Sequence, residues 1–217
     1  HDNILQICFT IVQTSTILVH AMTKPFSQAC ENNKGPILEH LNSALKNVKT
    51  VLEVGSGTGQ HSVFFAEKLP YLQWHTSDRV INHEGIRLWH SEVNLANLHA
   101  PIELDLNQPW PIEKVDAIYT ANTFHIVSWL LVERFFDGVK RHLNDEGIVC
   151  IYGPFKYKGE YTSQSNQEFC AFLTERDPLS GIRDFEAVLL LAKQAGLSLM
   201  SDHAMPANNQ LLVFKRQ

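Results

Sequence analysis

The sequence predicts an α/β fold: a mostly parallel, seven-stranded sheet with helices on both faces and an antiparallel last strand. Short apolar segments alternate with longer helical patterns along the chain, which is typical of a parallel sheet covered by helices. The last two predicted strands, 197–202 and 211–214, follow each other with no helix between them. The final strand is therefore expected to run antiparallel to its neighbour.

Each element is predicted from its local pattern. An N-terminal helical region over 25–46 places Ile37, Leu41 and Leu45 on one helical stripe. The predicted strands are 50–54, 72–77, 102–104, 117–121, 148–152, 197–202 and 211–214. The predicted helices that follow the first strand are 59–69, 82–98, 128–143 and 184–195. A turn is predicted over 144–147, and a long polar connection over 153–182 is expected to contain a short helix at 166–175.

The composition restricts the class of protein. The chain has 217 residues, of which 44% are hydrophobic, and this suits one α/β domain with a sizeable core. Its formal charge is −5 with no long basic run, so we expect no nucleic-acid partner. The four cysteines form no C-x-x-C pair, which favours reduced thiols and a cytoplasmic location. The histidines show no metal-ligand spacing, so no metal is expected.

The first residues differ in character from the rest of the chain. We expect a single domain over 22–217, preceded by an N-terminal extension of unclear status over 1–21. Residues 4–19 are too short and too polar for a membrane span, and no Lys or Arg precedes them as in a signal peptide, so no membrane partner is expected. The extension is either an upstream segment outside the fold or an added surface strand or helix.

A glycine-rich turn follows the first predicted strand. Glu53 precedes Gly55, Gly57 and Gly59, and a helix begins near the last of them. Glycines allow a sharp turn and a close approach of ligand to backbone, at the end of the strand where open α/β sheets bind ligands. Dinucleotide-binding turns use G-x-G-x-x-G, whereas here the third glycine comes one residue earlier. Glu53 would repel a pyrophosphate and suits a cationic ligand such as S-adenosylmethionine, which carries an ammonium and a sulfonium.

Two aspartates follow the second and third predicted strands. Asp78 lies 19 residues beyond Gly59, a spacing that suits an acidic group on ribose hydroxyls. Asp105 follows the third strand and precedes Leu106. Each aspartate has an alternative interpretation, because Asp at a strand end is also typical of a helix N-cap, for Asp78, or of a turn, for Asp105.

Taken together, the turn and the two aspartates resemble the class I S-adenosylmethionine-dependent methyltransferases, which have a Rossmann-like fold. The resemblance implies that the turn lies under the methionine part of the cofactor, that Asp78 binds the ribose, and that Asp105 and Leu106 lie beside the adenine. The cofactor-binding residues implied in this way are Glu53, Gly55, Ser56, Gly57, Gly59, Asp78, Asp105, Leu106 and Asn122.

A closer resemblance extends from residue 24 to residue 216. Segments 33–38, 121–129, 152–156 and 205–209 look like those of the methyltransferase-like protein 26 family. The chain departs from that pattern at Val127-Ser128, where the family tends to have Ser-Pro. The resemblance implies the fold and the cofactor, but it names no methyl acceptor.

Two polar residues, Asn122 and His125, follow the fourth strand on an otherwise apolar stretch and are the candidate catalytic residues. Positioning dominates in methyl transfer, and His125 is a candidate general base for an acceptor that must lose a proton. Alternatively, His125 caps the next helix or bonds a loop carbonyl. Asn122 is expected to hold the amino group of the cofactor or to fix the turn. The 153–182 connection is a candidate lid, with packing of its own aromatic residues as the alternative.

The sequence therefore predicts S-adenosylmethionine-dependent methyl transfer to a small-molecule acceptor. A nicotinamide-dependent oxidoreductase is the first alternative, and the glycine spacing and Glu53 disfavour it. A non-catalytic adaptor that has kept the methyltransferase fold is the second.

Overall fold

The structure, a computed structural model, describes residues 23–217. Its central element is a seven-stranded sheet. The helices are α1 (Gln28–Ala44), α2 (Gln60–Lys68), α3 (Val80–His90), α4 (Trp129–His142), α5 (Gln164–Arg176) and α6 (Phe185–Gln194). The strands are β1 (Thr50–Val54), β2 (Gln73–Asp78), β3 (Leu98–Glu103), β4 (Val115–Ala121), β5 (Leu143–Gly153), β6 (Phe155–Tyr157), β7 (Glu160–Tyr161), β8 (Arg183–Asp184), β9 (Leu197–Met205) and β10 (Asn209–Arg216).

The strand order in the large sheet is β3-β2-β1-β4-β5-β10-β9. Strands β1 to β5 pair in parallel, with Leu52 of β1 opposite His75 of β2 and Ile118 of β4. The last strand, β10, is antiparallel to both of its neighbours, β5 and β9. The predicted fold class is confirmed: a mostly parallel seven-stranded sheet with an antiparallel last strand.

Helices cover both faces of this sheet. Successive side chains of β1 point to opposite faces, so Val51 packs with Phe65 of α2 on one face while Leu52 packs with Phe135 of α4 on the other. Helices α1 and α2 bury one face, and α4 and α6 bury the other. This double burial explains why the central strands β1 and β4 are buried along nearly their whole length rather than at alternate positions.

Two sequence predictions were wrong in extent. The helix predicted over 82–98 ends at His90, and β3 begins at Leu98. The buried Asn97 side chain donates to the carbonyls of Ala66 and Leu72 and so fixes the chain at the start of β3, where the prediction had a helix. The turn predicted over 144–147 lies inside β5 as a bulge, where Val115 pairs with Leu143 but Ala117 pairs with Ile148.

The long connection holds more regular structure than predicted. It contains β6, β7 and β8, which form a small sheet in the order β7-β6-β8, and the 13-residue helix α5. Ser163 caps α5 by accepting a hydrogen bond from the Asn166 backbone at 3.1 Å. The role of the 153–182 connection as a lid stays a prediction. The extension over 1–21 lies outside the described residues, and none of the helices in 23–217 is long and apolar enough to cross a membrane.

Candidate active site

A cleft of about 1060 Å³ opens at the carboxyl edge of the sheet. Residues at or directly after the ends of β1 to β5 line it, which is where open α/β sheets bind ligands. The cleft brings together nearly all of the predicted site residues: Glu53, Gly55, Ser56, Gly57, Asp78, Asp105, Leu106, Asn122 and His125.

The three glycines of the turn have different roles. All have positive φ angles of 57° to 90°, which favour glycine. A Cβ at Gly55 would lie 2.9 Å from Thr123 Oγ1, whereas one at Gly57 would meet no atom within 4 Å and would enter the cleft. Gly59 does not line the cleft: a Cβ there would lie 3.0 Å from the Ile86 Cα, so this glycine allows α2 to begin against α3.

Glu53 lies at the floor of the cleft and is 2% exposed. Its Oε2 accepts a hydrogen bond from Trp74 Nε1 at 3.0 Å. Burial raises the pKa of Glu53 to about 7, because desolvation penalises the carboxylate more than the hydrogen bonds from Trp74 and Ser56 stabilise it. The side chain is therefore poised to ionise when a cation binds beside it.

Asp78 connects the end of β2 with the glycine turn and α3. Its Oδ2 accepts from the Gly57 backbone at 2.8 Å, and its Oδ1 accepts from the Arg79 backbone at 2.7 Å and from Asn82 Nδ2 at 2.8 Å. The N-cap position of α3 belongs to Arg79, so Asp78 does not serve as the helix cap that its sequence position allowed. It holds the turn while its carboxylate lines the cleft.

Asp105 shows both features that the sequence offered for it. Its Oδ1 accepts from the Asn107 backbone at 2.8 Å and its carbonyl accepts from the Gln108 backbone at 2.9 Å, so it stabilises a turn. Together with Leu106, it also lines the cleft. The turn therefore places two adjacent lining residues, one acidic and one apolar, after the end of β3.

The charges around the cleft are unbalanced. Four acidic residues line it: Glu53, Asp78, Asp105 and Asp177. Among its lining residues in the described part of the chain, Arg79 is the one Lys or Arg. Such a lining attracts cations and repels a pyrophosphate.

The loop after β4 carries both candidate catalytic residues. Asn122 takes a left-handed conformation, with φ of 55°, and its backbone N–H donates to the Tyr152 carbonyl at 2.9 Å. His125 is 5% exposed, and its ring lies edge-on to Phe169 of α5 with the centroids 5.4 Å apart. Within residues 23–217, neither ring nitrogen of His125 has a hydrogen-bond partner. The cap of α4 is Ser128, so the alternative role of His125 as the helix cap is not realised.

Burial determines the protonation state of His125. Desolvation, together with the positive charge of Arg183, lowers the pKa of the imidazole to about 4. The ring is therefore neutral at neutral pH and has a free lone pair. It can accept a hydrogen bond from a group bound in the cleft.

A buried network that the sequence analysis missed lies beside the glycine turn. His61 Nε2 lies 2.6 Å from Asn33 Oδ1, and its Nδ1 lies 3.2 Å from the Tyr119 hydroxyl. Gln60 accepts from the Ser27 backbone at 2.6 Å. These contacts hold α1 against the turn, so that the start of α1 forms a wall of the cleft. The signal was the polar Gln60-His61-Ser62 run, which lies in a buried helix.

Comparison with known proteins gives a family and a fold. Residues 24–216 match the family model described as "Protein of unknown function (DUF938)". The chain belongs to this DUF938 family.

No group of three or more His, Cys, Asp or Glu side chains that could hold a metal ion occurs within residues 23–217.

Similar solved structures include methyltransferases, two of them named as O-methyltransferase family proteins and one solved with S-adenosylmethionine. An O-methyltransferase family protein from Burkholderia thailandensis is 13% identical, with a TM-score of 0.77 over 87% of this chain and 57% of that one. Human N-acetylserotonin methyltransferase, solved with S-adenosylmethionine, is 12% identical, with a TM-score of 0.72 over 87% and 52%. A family 2 O-methyltransferase from Planctomyces limnophilus, solved with apigenin, is 14% identical, with a TM-score of 0.69 over 86% and 62%. The DUF938 chain thus spans 52–62% of the length of these structures and shares their fold.

Proposed function

We propose that this DUF938 protein transfers a methyl group from S-adenosylmethionine to a small-molecule acceptor. The observation that carries the proposal is the acidic cleft around the glycine turn, which is lined by four acidic residues and one arginine. This charge suits a cofactor with a sulfonium and an ammonium and disfavours the pyrophosphate of a nicotinamide cofactor. The methyltransferase fold of similar structures supports the same choice. Membership of the methyltransferase-like protein 26 family and a cytoplasmic location are parts of this proposal.

The residues present fit the cofactor. The open space at Gly57 and the buried Glu53 suit its methionine part, and Asn122 suits its amino group. Asp78 would accept from the ribose hydroxyls, and Asp105 with Leu106 would border the adenine. Gly59 is left out of this set because it packs against α3. The cofactor supplies an electrophilic methyl group on sulfur, and the protein supplies position and charge.

The cleft is large enough for two ligands. Its volume of about 1060 Å³ reaches the upper end of the roughly 300–1,000 Å³ found for small-molecule sites. Phe169, Ile126 and Leu179 give the cleft an apolar border beside His125. We propose that an uncharged acceptor lies there and donates its hydroxyl proton to the neutral imidazole. The neighbour solved with apigenin, a hydroxylated aromatic compound, agrees with such an acceptor.

A turnover assay tests the proposal. Protein, S-adenosylmethionine and a panel of uncharged phenols are incubated, and release of S-adenosylhomocysteine is followed by mass spectrometry. We expect release with the wild-type protein and none with Gly57→Val, whose side chain would fill the cofactor side of the cleft. Cofactor binding without turnover on any acceptor would instead support the adaptor alternative.

A further inference from the structure

The backbone of the His125 loop, residues 124–127, is bonded to one distant segment. The carbonyl of Phe124 accepts from Arg183 Nε at 2.9 Å, and that of His125 accepts from the Gly181 backbone at 2.9 Å. The Ile126 carbonyl accepts from Ser180 Oγ at 2.6 Å, and the Val127 carbonyl accepts from Arg183 Nη2. Thus four consecutive carbonyls are held by residues 180–183, more than 50 positions away in the sequence.

Arg183 is the main contributor to this contact, which we call the clamp (Ser180, Gly181 and Arg183). Its Nη2 also donates to the Leu179 carbonyl at 2.8 Å, so its guanidinium joins three backbone carbonyls. Within residues 23–217 it forms no salt bridge, although the adjacent Asp184 pairs with Lys156. The planar guanidinium fork therefore fixes backbone geometry rather than neutralising an acid.

The clamp is itself anchored to the wall of the cleft. The backbone of Ile182, inside the clamp segment, donates to Cys170 Sγ of α5 at 3.3 Å. Arg183 pairs with Phe155 of β6, which continues from β5 of the large sheet. Phe169, the neighbour of Cys170 in α5, packs edge-on against the His125 ring. The His125 loop, the clamp and α5 therefore form one connected unit on the acceptor side of the cleft.

We propose that Ser180 and Arg183 are positioning residues that hold the His125 ring in its buried place in the cleft. The role of His125 toward an acceptor rests on the proposed function, but the positioning itself does not. Without the clamp, the carbonyls of Phe124 and Val127 must find water, and the loop can then relax outward. The ring would move with the loop and become hydrated.

The test measures the pKa of His125 by ¹H–¹⁵N NMR of the imidazole nitrogens, with His125→Gln used to assign the signal. Arg183→Gln removes the guanidinium of the clamp and its charge, whereas Arg183→Lys keeps a positive charge and loses the planar fork. The matched control is Arg216→Gln. Arg183 is half-buried and Arg216 is buried, but Arg216 too donates to backbone carbonyls, those of Val139, Lys140, Leu143 and Ala195, away from the cleft.

We expect the pKa of His125 to rise toward 6.5 by about one unit or more in both Arg183 variants, because a hydrated imidazole protonates more readily. It should stay unchanged in Arg216→Gln. A rise in Arg183→Gln alone would reflect only the lost charge and would overturn the proposal, as would an unchanged pKa in both variants. Ser180→Ala should also raise the pKa of His125, but by less than the Arg183 variants do.

Turnover provides the second measurement. With an accepted substrate, Arg183→Lys should lower kcat about tenfold or more while the cofactor Kd changes less than about twofold. Equal turnover in wild type and Arg183→Lys would overturn the catalytic significance of the clamp. Failure of the proposed function gives a different result, because the wild-type protein would then show no turnover while the NMR difference remained.

Discussion

Replacing Glu53 by Gln is expected to stabilise the cofactor-free protein. Burial raises the pKa of Glu53 from its ordinary 4.5 to about 7. Between these pH values the folded protein binds more protons at this site than the unfolded chain does. The contribution of Glu53 to stability is therefore fully present below pH 4.5 and is lost as the pH rises through about 7.

The magnitude follows from the same two values. The difference between 4.5 and about 7 corresponds to roughly 3 kcal/mol, since one pKa unit is worth about 1.4 kcal/mol. Gln retains an oxygen that can accept from Trp74 Nε1 and carries no charge to bury. At pH 8 the variant should thus be more stable than wild type by up to roughly 3 kcal/mol, and at pH 4.5 the two should be close.

Urea unfolding at pH 4.5 and pH 8, followed by circular dichroism, measures this difference. The buried histidines titrate alike in both proteins, so their contributions cancel in the comparison.

The same substitution should weaken cofactor binding, although it stabilises the cofactor-free protein. Wild-type protein should bind S-adenosylmethionine more tightly as the pH rises from 6 to 8, because a cation favours ionised Glu53, whereas Glu53→Gln should bind more weakly and without this dependence. Equal stability at pH 8 together with equal affinity would refute the reasoning.

Four further predictions concern the cleft and its histidines. Asp78→Ala should weaken S-adenosylmethionine binding by roughly 10- to 150-fold, or about 1.5–3 kcal/mol, in a calorimetric titration, and unchanged affinity would remove Asp78 from the site. Gly57→Val should abolish binding, because its side chain would enter the cleft and a β-branched residue is strained at a φ of 57°; circular dichroism checks that the variant is folded, and retained binding would contradict this. His125→Gln should lower turnover by about 10²–10⁴-fold with the cofactor Kd unchanged, whereas normal turnover would make His125 structural. Burial lowers the pKa values of His61, His90 and His125 to about 4, so stability should fall as the pH drops from 6.5 to 4, and a flat urea midpoint would contradict this.

Local patterns in the sequence were enough to predict the sheet and its topology. They failed at element boundaries that depend on contacts between residues distant in the sequence. The apolar strands and the absence of a helix before the last strand predicted the sheet. The end of α3 was missed because apolar residues continue the helical spacing beyond His90, while the side chain of Asn97 bonds carbonyls more than 20 residues away. The bulge in β5 depends on pairing with β4, which no local pattern contains.

The residues of the candidate site were likewise predictable only where local sequence places them. The glycine turn, Glu53 and Asp78 are close in sequence to strand ends, so their meeting at one edge of the sheet followed from topology. Gly59 is the one predicted site residue that does not line the cleft, because its close neighbour is Ile86 on another helix, which no local pattern shows. His61 and Arg183 were missed because their partners, such as Asn33 and Phe124, lie 28 and 59 positions away.

The central claim is that the acidic cleft binds S-adenosylmethionine. Calorimetric titration at pH 8, with S-adenosylmethionine, S-adenosylhomocysteine and NADH in parallel, tests it most directly. The charges around the cleft predict one site for each adenosyl compound and no measurable binding of NADH. Binding of NADH, or no binding of either adenosyl compound, would contradict the account.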